Sequence, residues 1–180
     1  ELILVKMILS ESKMILVEHN NMQIRSARIE ESAVILDLVK ELAEYERASH
    51  EVTATVDDLR ATLFGDDARA FCEVVEVDKK VIGLAIWFLN YSTWQGKHGI
   101  YLEDLFVKPE YRGRGYGKAL LQHLAAICNE KGYGRFQWAV LDWNSPAIEF
   151  YRSLGAEAMT DWITHRVTGP NLEKLGQIKK

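Results

Sequence analysis

From residue 100 to 107 the chain is apolar at nearly every position, with Tyr101, Leu105 and Val107 alternating with Ile100, Leu102 and Phe106. Such a run predicts a central strand covered on both faces. Glu103 and Asp104 interrupt it, and a carboxylate is costly to bury unless it is paired or at work. Pro109, with no N–H to give a ladder, ends the strand. Gly113, Gly115 and Gly117 follow, and then Leu120, Leu121, Leu124, Ile127 and Cys128 recur at helical spacing as far as Lys131. The order is strand, glycine-rich turn, helix. Glycines let a ligand approach the main chain, and a helix start offers free N–H groups to a phosphate. Arg112, Arg114 and Lys118 add positive charge beside them. The pattern lacks the Gly-Lys-Ser/Thr of a P-loop and the glycine spacing of a dinucleotide fingerprint. The plain alternative is a loop that merely turns the chain.

The same patterns organise the rest. Residues 22–27 predict a first strand. Ile35, Leu38, Val39 and Leu42 form the apolar stripe of a helix over 31–47, with Glu30 and Glu31 at its start. Tyr45 and Glu46 continue that stripe, so a carboxylate falls where a core residue is due. Either Glu46 surfaces as the helix ends, or it faces a substrate. Thr55 and Asp58 make a capping box for a second helix that Gly65 closes. Residues 70–77 and 81–91 predict a hairpin turning at 78–80, followed by a loop carrying Trp94. Residues 136–141 predict a further strand. Ser145 and Pro146 open a short helix to Leu154, and 161–167 predict a last strand. The fold class is α/β, a mixed sheet with helices on both faces. We expect one domain over 22–180, with 1–21 an extension dispensable for chemistry. The alternative for 1–21 is an extra strand or an interface arm.

Composition narrows the function. The 180 residues carry a net charge of −4, with no basic block, which gives no electrostatic case for nucleic acid. Apolar runs near the start are too short and too broken by charge to span a bilayer. Cys72 and Cys128 both sit in apolar segments and read as buried residues of a reducing compartment, not as a disulfide or a metal site. The five histidines show no ligand spacing, so no metal is expected.

Three blocks carry a family resemblance: Tyr101-Leu-Glu-Asp104, Arg112-x-x-Gly115-x-Gly117, and Trp143-Asn-Ser-Pro-Ala-Ile-Glu-Phe-Tyr151. In this order they resemble the GNAT superfamily of N-acetyltransferases, and within it the diamine (spermidine/spermine) group and its thialysine branch. The resemblance spans about residues 22–167. It implies a mostly antiparallel sheet whose strands 100–107 and 136–141 splay to admit acetyl-CoA. Main-chain groups of Leu105, Phe106 and Val107 would then bond the pantetheine. Gly113, Arg114, Gly115, Tyr116, Gly117 and Lys118 would hold the pyrophosphate, and Arg112, Asn144, Ser145 and Ala147 would also touch the coenzyme. Tyr45, Glu46, Trp94, Glu103 and Asp104 would bind the amine. Glu103 would accept the amine's proton through water, and Tyr151 would act as general acid toward the sulfur. The plain alternative for Tyr151 is packing beside Ile148 and Leu154. The resemblance also implies a cytoplasmic homodimer acting on a small molecule.

One departure shapes the acceptor. Polyamine-acetylating members carry an acid where this chain has Ser92, so the expected acceptor is a small amine or lysine-like amino acid. An acid restored at Ser92 is expected to favour spermidine. A polyamine acceptor, protein-lysine acetylation and a non-catalytic acyl-CoA-binding module are the alternatives.

Overall fold

In the computed structural model, which describes residues 21–177, five strands lie in sequence order: β1 (Met22–Ser26), β2 (Ala70–Val77), β3 (Lys80–Ser92), β4 (Lys97–Val107) and β5 (Phe136–Trp138). The expectation for residues 1–20 lies outside the described residues. Four strands pair antiparallel in turn, and β5 joins β4 in parallel. The β2–β3 hairpin closes through Asp78 and Lys79, with φ of 49° and 63°. Both centres being left-handed suits the twist of a two-residue hairpin turn.

Helices cover both faces, as the alternation requires. On one face α1 (Ser32–Tyr45) sets Ile35, Leu38 and Leu42 against Cys72, Val74, Leu84 and Phe106. Leu59, Leu63 and Phe64 of α2 (Val56–Phe64) extend that cluster, and Thr55 and Asp58 form the expected capping box. On the other face lies α3 (Tyr116–Lys131), burying Leu120, Leu121, Leu124 and Cys128. Its His123 Nε2 sits 3.4 Å from Oε2 of Glu73, which alternates with the α1-facing Cys72 and Val74. The mixed α/β class read from the sequence is therefore the architecture found.

The chain divides into two units, up to Ala139 and from Val140 onward. The second holds α4 (Ser145–Ser153) and α5 (Gly169–Gly176). Two expectations are corrected here. The strand expected over 136–141 is only the three residues of β5. Residues 161–167 form no strand: Trp162 is 68% and Ile163 81% exposed, and an extended segment becomes a strand only beside a partner that takes its hydrogen bonds. Among the described residues, no helix is long and apolar enough to cross a membrane.

Candidate active site

The carboxylates in β4 have a local cause. Ile86 pairs with Asp104 but its neighbour Trp87 pairs with Leu102, so Glu103 is one residue too many for the ladder. This β-bulge re-aims the strand. It leaves Glu103 exposed while Asp104, opposite Ile86, points to the α1 face and is half-buried. Burial, then the charges of Glu103 and Glu46, push the Asp104 carboxyl up to about 6. Glu46 caps the C-terminal end of α1, which the left-handed Arg47 (φ 60°) ends. It is half-buried and its carboxyl is raised by burial. Glu46 and Glu103 thus lie near enough to Asp104 for their charges to act on it, a cluster of negative charge that a bound cation would relieve.

Asp104 gives a pH-dependent prediction. Its folded value lies above the ordinary 3.8, so ionised Asp104 disfavours the fold. That penalty is absent below about 3.8 and complete once pH passes about 6. Asp104→Asn should raise Tm by about 2–6 °C at pH 8, and the gain should vanish toward pH 3.5. Thermal melts across that range check it.

The Gly-rich stretch lies at the start of α3. Gly113 and Gly115 have φ of 76° and 85°, and a Cβ built on either would meet no atom within 4 Å. Gly115 is the N-cap of α3 and supplies no side-chain cap. The first amides of the helix are therefore left for another acceptor. Arg112 steadies the turn: its Nε donates to the Val107 carbonyl (2.8 Å), and its guanidinium lies over the rings of Tyr45 (5.0 Å) and Phe106 (5.3 Å). One side chain links the glycine turn to the end of α1, where the acids begin.

Among the described residues, the β5-facing edge of β4 has no strand paired with it beyond the bulge. The two strands pair only from Ile100↔Phe136 to Leu102↔Trp138. Lys108 N donates to Ile82 O (2.9 Å), and the Phe106 carbonyl lies against Gly83 on β3. By strand alternation the main-chain groups of Leu105 and Val107 turn the other way, toward the β5 side. Phe106 spends its main chain on β3, so of the three residues expected to bond the pantetheine, Leu105 and Val107 turn main-chain groups to that side, the Val107 carbonyl already accepting from Arg112 Nε. These outward amides and the open glycine turn are a fitting cradle for an extended, phosphate-bearing chain.

In the second unit, Asn144 is 8% exposed and its side chain caps α4 by accepting from Ala147 N (3.4 Å). Ser145 begins that helix and Tyr151 is half-buried along it, its ring 5.4 Å from that of Phe150.

Trp94 lies elsewhere. It is 89% exposed in the β3–β4 loop, next to the Ser92↔Lys97 pair. That pair is six residues along β3 from Ile86, roughly 20 Å. A single chain therefore does not bring Trp94 and the acids to one small amine. Ser92 is 8% exposed and its Oγ accepts from Gln95 N (3.3 Å), so an acid placed there would be buried in a turn, not presented to a polyamine.

The sequence reading missed the bulge and the polar side chains of Asn90, Arg135 and Gln137. Gly99, a glycine inside a strand, was the available signal, since such a residue marks a close approach.

Comparison with known proteins matches residues 35–156 to the acetyltransferase (GNAT) family. A thialysine N-epsilon-acetyltransferase from Bos taurus is 38% identical over 163 residues, covering 84% of this chain and 95% of that protein. The Mus musculus protein of the same name is 36% identical over 164 residues, covering 85% and 96%. Among solved structures, an integron cassette protein from the mobile metagenome of V. cholerae superposes with a TM-score of 0.74 at 25% identity, covering 88% of this chain and 99% of that one. With its mixed sheet, open β4 edge and glycine turn, the chain belongs to the acetyltransferase (GNAT) family, whose members take their acetyl group from acetyl-CoA.

Proposed function

We propose that the protein transfers the acetyl group of acetyl-CoA to a primary amine of a small amine or lysine-like amino acid of the thialysine type. The observation that carries the acceptor class is the cluster of Glu46, Glu103 and Asp104, in which the charges of Glu103 and Glu46 act on Asp104 and which an ammonium would neutralise. The relatives named for thialysine support the same class.

The coenzyme supplies an acetyl group activated by its bond to sulfur. Leu105 and Val107 hold the pantetheine by their main chains, with the Phe106 ring and Arg112 behind them. Gly113, Arg114, Gly115, Tyr116, Gly117 and Lys118 hold the pyrophosphate, and the family resemblance adds Asn144, Ser145 and Ala147 as coenzyme contacts. Tyr45, Glu46 and Asp104 bind the ammonium. A free alkyl ammonium has a pKa near ~10, so it must lose a proton to attack. Glu103, exposed on the bulge, accepts that proton through water. As the nitrogen–carbon bond forms and the carbon–sulfur bond breaks, Tyr151 gives its proton to the departing sulfur, and the second proton lost by the nitrogen returns through water to the Tyr151 oxygen. A homodimer completes the reading, and Trp94 serves the amine only where a second copy presents it. Light scattering giving a monomer mass at assay concentration would remove that part.

A polyamine acceptor is the second reading, favoured by the count of three acids. An acetyl-CoA turnover screen against thialysine, lysine, spermidine, putrescine and a lysine peptide separates these outcomes. Thialysine should give the highest kcat/KM; a preference for spermidine or the peptide would overturn the acceptor class.

The coenzyme cradle has its own test. Gly115→Val should weaken acetyl-CoA binding at least about 10-fold, because it forces a branched side chain to φ 85° where the phosphates approach. Gly132, at the other end of α3 with φ 66° and open surroundings, is the control. Gly132→Val should cost similar stability, about 1–2 kcal/mol, and leave affinity unchanged in calorimetry.

A further inference from the structure

The opening between β4 and β5 needs something to set its width. Three parallel pairs hold the strands together before they part, and a ladder that short is a weak hinge. The main-chain bonds beside it, Ile100 N to Arg135 O (3.0 Å) and Gly134 N to His98 O (2.8 Å), extend the ladder only at its closed end.

A set of side chains crosses β4 at that same end. Arg135, just before β5, reaches over β4 to β3, where its Nε donates to Asn90 Oδ1 (3.3 Å) and its Nη2 to the Tyr91 carbonyl (2.8 Å). Asn90 Nδ2 in turn donates to Gln137 Oε1 on β5 (2.9 Å). Asn90 thus accepts from one residue of the β5 segment and donates to another. The crossing is possible only because β4 has no side chain beneath it. A Cβ on Gly99, the partner of Asn90, would lie 2.6 Å from Arg135 Cγ and 2.6 Å from Asn90 Oδ1. None of these side chains belongs to the proposed chemistry, and all are half-buried at the end of β4 away from the glycine turn.

We propose that the Arg135–Asn90–Gln137 clasp over Gly99 is the hinge that sets the β4–β5 opening, making Arg135 and Asn90 positioning residues for the coenzyme. The inference rests on the reading of that opening as the coenzyme's place. From Leu102 to Val107 the strand runs roughly 16 Å, so a tilt of about 5° at the ladder moves the far end by roughly 1.4 Å. A misplacement of that size is enough to disturb a bound reactant. Arg135 suits the role because its planar fork reaches two acceptors at once, which a lysine does not.

The test uses the full chain with Arg135→Met, Arg135→Lys and Asn90→Ala, reading amide hydrogen exchange, acetyl-CoA affinity by calorimetry, and both KM values. Arg135→Met should speed exchange at the Ile100 and Gly134 amides by about 10-fold while the β2–β3 amides keep wild-type rates. It should weaken acetyl-CoA about 10-fold and change the amine KM less than about twofold. Arg135→Lys should fall between, and Asn90→Ala should repeat the pattern; it decides the matter if Arg135→Met does not fold. A folded variant with wild-type acetyl-CoA affinity overturns the hinge, as does faster exchange spread evenly over all five strands. If the wild type itself fails to bind acetyl-CoA, the coenzyme reading falls first and this inference with it. Wild-type binding beside an unaffected Arg135→Met sinks the hinge alone.

Discussion

Tyr151→Phe should keep the fold and lower kcat by about 10²–10⁴-fold, the usual size of a lost general acid. The substitution removes one hydroxyl from a half-buried ring beside Phe150, so packing in α4 barely changes. In the proposed mechanism the hydroxyl acts on the chemical step. An alkyl thiolate, with a thiol pKa of roughly 8–9, is a moderate leaving group. A phenol with a pKa near ~10 can hand it a proton as the carbon–sulfur bond breaks. That help exists only in the transition state, so kcat should fall while the amine KM moves little. Full kcat at saturating amine, with chemistry shown to limit the rate, would make Tyr151 a packing residue.

Glu103→Gln should fail differently, raising the amine KM and lowering kcat together, by about 10²-fold in kcat/KM. Glu103 is exposed on the bulge, so the variant should melt near the wild-type temperature. Glutamine keeps the shape but neither attracts an ammonium nor accepts its proton. Raising the pH supplies free amine and should recover part of the loss, a rescue that Tyr151→Phe should not show. Kinetics at pH 7 and pH 9 for both variants check the contrast, and equal pH responses would contradict the separate roles.

The readable parts of this chain were those governed by local pattern. The α1 stripe, the Thr55 capping box, the glycine turn and the apolar run of β4 each follow from rules acting over a few residues. The bulge at Glu103 was visible only as an oddity, two acids in a core strand. Its register depends on which residues of β3 they oppose, and this is a long-range fact. Residues 161–167 alternate like a strand but have none beside them within the described chain, because pattern reports capacity to pair and not a partner. Trp94 belonged to the predicted amine site by motif, and the hairpin geometry moved it roughly 20 Å along β3. The clasp was illegible for the same reason: Asn90 and Arg135 are distant in sequence, and only the missing side chain of Gly99 hinted that something crosses there.

Acetyl transfer from acetyl-CoA to a small lysine-like amine, as proposed for this chain's acids, is open to direct measurement. Release of free coenzyme thiol from acetyl-CoA, followed with purified protein and thialysine at pH 8, tests it most directly. Steady turnover that needs both substrates, yields N-acetylated thialysine by mass spectrometry and drops at least about 100-fold in Tyr151→Phe is the predicted result. Acetyl-CoA bound tightly but never consumed with any amine would contradict it, and would leave a coenzyme-binding module in place of an enzyme.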